Sequence, residues 1–335
     1  MNTYILNATL NGKMLTEILC KRMDIKGLIT LSENADDKSN EYYDYSNYCR
    51  NNNLECIKLN KYNFSSLEDR DLLEKLDIDL IIIASWQRLV PEWLIKKCSI
   101  GIIGAHGSHE GIERGRGRSP QNWAILTGQK RFILSIFWIE PGADDGSIID
   151  TEEFEYLPTD TILVSYVQVN TLKAEMILRN IRNGRIPNKE GTPQSDDAFY
   201  LPQRIKEDGQ IDWNRDAIEI SNMVRALTKP YPGAYTVYED KEYYIWDARP
   251  VVNTRIHLFD ACENGEIISI LGDSVLIKCG ANLLLADQIT GISEVFEGMV
   301  FQSANYKEQI SSIIDRHNKK YGTRLSQLVL DKLKD

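Results

Sequence analysis

His106 ends an apolar run, Ile102-Ile103-Gly104-Ala105, and Asp144 sits in the glycine-bounded turn Gly142-Ala143-Asp144-Asp145-Gly146. A histidine exchanges protons near neutral pH, and a carboxylate beside it fixes the ring tautomer and steadies the imidazolium. Taken singly, each has an ordinary reading, a satisfied strand-end histidine and a surface turn. About one strand, helix and strand separate them, which returns the chain to one edge of a sheet and makes an acid/base pair. Between them runs Arg116-Gly117-Arg118-Ser119-Pro120-Gln121-Asn122-Trp123. Serine before proline predicts a helix cap and a first helical residue. The arginines of 114–118 then form a basic loop feeding a helix N-terminus, a seat for phosphate or carboxylate.

The elements that must position these residues are read from apolar runs bounded by turn residues. Strands are expected at 4–6, 25–30, 55–59, 79–85, 100–105 and 133–139, with helices near 13–21, 41–52, 72–76, 91–97 and 120–127. Strands alternating with helices predict an α/β fold, a doubly wound and mostly parallel sheet. The turn after the first strand holds one glycine, Gly12, too few for a dinucleotide fingerprint, so no NAD is assigned. A long amphipathic helix is expected over 161–183, with Asp160 as its cap. The domains expected are 1–185, a linker at 186–205 rich in proline and polar residues, a β-rich domain at 206–300 and a helical tail at 301–335. Short strands at 235–238, 243–247, 265–271, 274–279 and 282–286 predict a small β-barrel. Trp213, Tyr231, Tyr235 and Trp246 are read as core packing first and as base-stacking surfaces second.

Composition narrows the partners. The 335-residue chain carries a formal net charge of -10, which disfavours a polyanion, because phosphate-backbone affinity is supplied by Lys and Arg. Six cysteines show no C-x-x-C pair and no histidine at metal-ligand spacing, so they are expected reduced, with no metal site. Neither a long apolar run nor a signal-like N-terminus is visible, and the expectation is a cytoplasmic protein without a membrane partner. Homodimerisation is left open.

The residues quoted above, with Asn222-Met-Val-Arg-Ala-Leu227 and Pro230-Tyr-Pro-Gly-Ala-Tyr235, resemble the 10-formyltetrahydrofolate-dependent formyltransferases. That family includes methionyl-tRNA formyltransferases and sugar N-formyltransferases. The chain is similar in particular to the formyltransferase domain of enzymes that modify UDP-4-amino-4-deoxyarabinose. The resemblance implies a Rossmann-like catalytic domain with an OB-like C-terminal barrel, and a formyl donor as co-substrate. His106 would be the general acid/base and Asp144 its partner. Arg88, Leu89 and Val90, with Glu140, Pro141, Gly142, Ala143 and Asp144, match the two segments that line the folate. Arg118 matches an arginine on the nucleotide-sugar, with Arg116 and Asn122 expected beside it.

Two departures stand out. The family pattern Asn-x-His is Gly104-Ala105-His106 here, so the asparagine that polarises the formyl carbonyl is absent. Removing such a donor typically costs roughly 10² to 10³ in rate. Asn122, Ser108, a backbone N–H or a bound water are the candidates to replace it. The loop from His106 to Pro120 is also about two residues longer than the family's. The expected reaction is attack by the amine of a nucleotide-linked amino sugar on the formyl carbon, as in lipopolysaccharide or glycan biosynthesis. Formylation of methionyl-tRNA, a catalytically impaired folate-binding protein and a deformylating hydrolase are the alternatives.

Overall fold

The structure, a computed structural model, describes residues 1–36, 38, 41–195, 197–252 and 256–333. Asp196 of the expected linker, 253–255 of the expected barrel and 334–335 of the expected tail lie outside the described residues. The chain divides into two compact units, one of Met1–Arg116, Ile133–Phe154 and Tyr166–Asp197, the other of Gly117–Phe132, Glu155–Ser165 and Ala198–Asp335.

The first unit is built on β1 (Thr3–Asn7), α1 (Lys13–Arg22), β2 (Gly27–Asp36), α2 (Ser46–Asn51), β3 (Glu55–Lys61), α3 (Leu67–Glu74), β4 (Leu80–Ser85), α4 (Glu92–Lys97) and β5 (Gly101–Ser108). The two-residue strand β6 (Arg116–Gly117), helix α5 (Pro120–Leu126), β7 (Arg131–Trp138), β8 (Ile148–Glu155) and the long helix α6 (Ile162–Arg182) follow in the chain. The large sheet runs β3-β2-β1-β4-β5-β7-β8. β1 through β5 pair in parallel, and β7 runs antiparallel to β5 with His106 opposite Ser135. The order reverses between β1 and β4, which makes the sheet doubly wound. A crevice beyond the carboxyl ends of β1 and β4 follows from this topology, and the segment Arg88-Leu89-Val90 begins just past β4. Continuous apolar strands explain the parallel pairing: Ile5, Leu6, Leu28, Ile29, Ile81, Ile82, Ile102 and Ile103 are fully buried.

Lys173, on α6, is 6% exposed and donates to Ile83 O at 2.6 Å, at the carboxyl end of β4. Burial pushes its amine down to about 7. In the unfolded chain a lysine holds its proton to about pH 10.4. Between pH 7 and 10 the unfolded state therefore binds the extra proton, and the contribution of Lys173 to stability rises with pH, by up to about 1.4 kcal/mol per pH unit. Lys173→Met is expected to flatten that rise. Denaturation midpoints measured at pH 7 and 9 check this, and an unchanged pH slope in the variant would refute it.

In the second unit, β9 (Tyr200–Leu201) precedes α7 (Ala217–Leu227) and the strands β10 (Ala234–Tyr238), β11 (Lys241–Val251), β12 (Ile267–Leu271), β13 (Ser274–Cys279) and β14 (Asn282–Ile289). They form an antiparallel sheet, β10-β11-β14-β13-β12. Bridges from Gln302 to Val237 and from Val300 to Glu266 link its two edges through one short segment, the closure expected of a small barrel. Trp213 is completely buried, stacked on Phe301, with its indole N–H on Thr236 Oγ1, so it packs the core. Asp216 caps α7 by accepting from the Ile218 N–H. The tail helix α8 (Tyr306–Lys320) buries Ile310 and Ile313, and its Arg316 binds both oxygens of buried Asp208; α9 (Gln327–Asp331) follows.

Two local expectations change. Residues 41–45 are not helical, because Tyr42 bridges Thr9 and Tyr45 is buried with its hydroxyl donating to Thr9 O. Thr161, not Asp160, occupies the cap of α6 and accepts from the Val164 N–H, while the Asp160 carboxylate accepts from the Leu157 N–H. Among the described residues no helix is long and apolar enough to cross a membrane.

Candidate active site

β5 carries His106 to the carboxyl edge of the sheet, and the loop after β7 returns Asp144 to it. Nδ1 of His106 lies 3.6 Å from Asp144 Oδ2, with side-chain exposures of 11% and 28%. That is an ion-pair distance rather than a hydrogen bond, and such contacts commonly tighten only in the Michaelis complex. Nε2 is 2.8 Å from Gly115 O. A carbonyl only accepts, so Nε2 carries the proton in that contact, and Nδ1 faces the Asp144 carboxylate, which holds a proton placed there. The arrangement can take up and release one proton with little movement.

Asp144 has φ 59°, in the left-handed region that a non-glycine residue adopts at a cost of about 1 to 2 kcal/mol. Its loop is held by Gln194, whose amide donates to Asp144 O at 2.9 Å and to Gly146 O at 2.7 Å. The Gln194 carbonyl accepts from Arg116 Nη2 at 2.8 Å. Arg116 is only 6% exposed, which suits a brace within this unit rather than the phosphate contact expected of it. Gln194 carries no local signature in the sequence, where its surroundings read as a linker.

The position of the missing asparagine is occupied. In a strand, residues two apart share a face, so Gly104 and His106 look the same way. A Cβ at Gly104 would meet Ile139 Cδ1 at 2.6 Å and Phe137 Cζ at 3.2 Å. An apolar side chain thus fills the space that an amide would take. Two proposed substitutes are committed elsewhere. Ser108 is buried, donating to Gly111 O and accepting from the Glu110 N–H. Asn122, in the second unit, is 2% exposed with its amide nitrogen 2.6 Å from Ala226 O.

The remaining expected residues are placed as follows. Arg88 and Leu89 are exposed and Val90 is buried, and the Arg88 guanidinium lies 4.8 Å over the Tyr62 ring. Glu140, Pro141 and Ala143 are exposed on the Asp144 loop, and Gly142 packs against the Asp145 carboxylate. Arg118, in the second unit, is exposed, with its backbone N–H on Leu201 O. Ser119 stands at the cap of α5 with Pro120 behind it, but its φ of 54° turns the hydroxyl from the capping bond expected of it. Among the described residues no group of three or more His, Cys, Asp or Glu side chains is placed to hold a metal ion, and the six cysteines are free thiols.

Comparison with known proteins adds the following. Residues 22–181 match the family model described as formyl transferase, and residues 204–293 match the formyl transferase C-terminal domain. A methionyl-tRNA formyltransferase of Alkaliphilus oremlandii is 31% identical over 220 residues, which cover 65% of this chain and 68% of that protein. The fold is similar to that of an N-formyltransferase from Helicobacter canadensis solved with folinic acid and dTDP-3-aminofucose, at a TM-score of 0.60 and 17% identity. That match covers 87% of this chain and 100% of the other. HypX from Aquifex aeolicus, solved with tetrahydrofolic acid, matches at a TM-score of 0.60 and 17% identity over 86% of this chain. The match takes in only 44% of the HypX chain.

Proposed function

Because the chain belongs to the formyl transferase family and is an enzyme of formyl transfer, we propose that it moves the formyl group of 10-formyltetrahydrofolate to the amine of a nucleotide-linked amino sugar. The observation that carries the chemistry is the His106–Asp144 pair at the carboxyl edge of the sheet. The acceptor amine attacks the formyl carbon, a tetrahedral oxyanion forms, and the folate nitrogen departs with a proton. His106 takes the amine proton and delivers it, and Asp144 steadies the imidazolium. The exposed Leu89, beyond β4, would offer an apolar surface to the flat pterin.

The acceptor reading rests on charge. A net charge of -10 opposes a long phosphate track, whereas the pyrophosphate of a nucleotide sugar needs only one or two arginines. The second reading, methionyl-tRNA as acceptor, is favoured by the name of the 31% identical relative. Incubation with 10-formyltetrahydrofolate and a panel of UDP-, dTDP- and GDP-linked amino sugars, alongside methionyl-tRNA, separates them. A mass gain of one formyl group is expected on at least one sugar and not on the tRNA. Formylation of the tRNA alone would replace the first reading by the second, and no transfer to any acceptor would reject catalysis.

A further inference from the structure

We propose that Gln194 is a positioning residue that sets Asp144 against His106, and that the segment before it belongs to the catalytic machinery. The inference rests on the proton-transfer role given to that pair above. Three bonds fix the amide: its nitrogen donates to Asp144 O and Gly146 O, and its oxygen accepts from Arg116 Nη2. The flipped amide would set N–H against N–H and oxygen against oxygen, so only one orientation is allowed.

The backbone that delivers Gln194 is itself held. Thr192 and Ile148 exchange two hydrogen bonds of 2.8 Å, and the Trp138 indole N–H donates to Glu190 O at 2.9 Å. On the other side, Gly146 is pressed against β7, where an added Cβ would fall 1.7 Å from Trp138 O. Asp144 holds its left-handed backbone between these supports, and such a conformation persists only where its surroundings over-determine it. Without the two donations from Gln194 the Asp144 and Gly146 carbonyls lose those hydrogen bonds, and the carboxylate loses its anchor while keeping its charge.

The test is a double-mutant cycle on the full chain. Gln194→Glu keeps an acceptor for Arg116 but gives no hydrogen to either loop carbonyl, and Gln194→Leu removes both functions. Each is expected to lower kcat about tenfold, and Gln194→Glu made in the Asp144→Asn background is expected to cost less than about twofold. Hydrogen exchange should rise at the amides of 143–147 and not in β5 or β7, with both variants retaining a cooperative thermal transition. Equal costs in the two backgrounds, or unchanged exchange in the loop, would overturn the proposal. Absence of turnover in the wild-type chain would instead defeat the functional reading, and the exchange measurement would still decide the role of Gln194.

Discussion

His106→Ala is expected to lower kcat for formyl transfer by about three orders of magnitude while the folate donor still binds. The two effects separate because of where the ring sits. It ends β5, with Nε2 on Gly115 O and Nδ1 facing Asp144, whereas Arg88-Leu89-Val90, the segment proposed to line the donor, follows a different strand. Truncation removes the proton carrier and leaves that segment in place. Donor affinity, followed by quenching of protein fluorescence, should therefore stay within about threefold, while single-turnover transfer collapses. Turnover near that of the wild type would sink the assignment of His106.

The second large effect is a gain. Gly104→Asn alone forces the new side chain into Ile139 and Phe137, and overpacking of this kind costs about 1 to 3 kcal/mol. Combined with Ile139→Ala, the asparagine has room and presents its amide on the face that carries His106. A donor aimed at a developing oxyanion is worth on the order of 10² in rate. The double variant is accordingly expected to exceed Ile139→Ala in kcat by roughly that factor, with its melting temperature above that of Gly104→Asn. An unchanged kcat would mean that a backbone N–H or a bound water already serves the formyl oxygen. The Gly104 and Ile139 pair thus turns a gap in a motif into a packed arrangement with a measurable consequence.

Much of this was legible in the chain because the informative residues were apolar and local. β1, β2, β4 and β5 carry runs of buried aliphatics, and His106 stands out at the end of one of them. β8 carries no strand signature, since Ile148–Glu155 holds four acidic residues and exposes Thr151, Glu153 and Glu155 on one face. The polar end of β2, beyond Leu31, was missed for a similar reason. Arg116 was read as a phosphate ligand because a charged loop is solvated by default, and its burial depends on a glutamine 78 residues away. Gln194 itself was unreadable: proline and threonine before it suggest a connection, and its other partners lie 50 and 48 residues away.

Those separations bear on the order in which the molecule comes into being. β1 to β5 pair among residues within the first 108, so an emerging chain can lay down that part of the sheet early. The aspartate loop arrives later, and the amide that pins it later still. A ribosome must release the chain through Gln194 before the acid/base pair acquires its setting, so framework precedes function along the path of synthesis. A nascent chain carrying the sheet but not yet that glutamine would hold the fold of a transferase without its geometry.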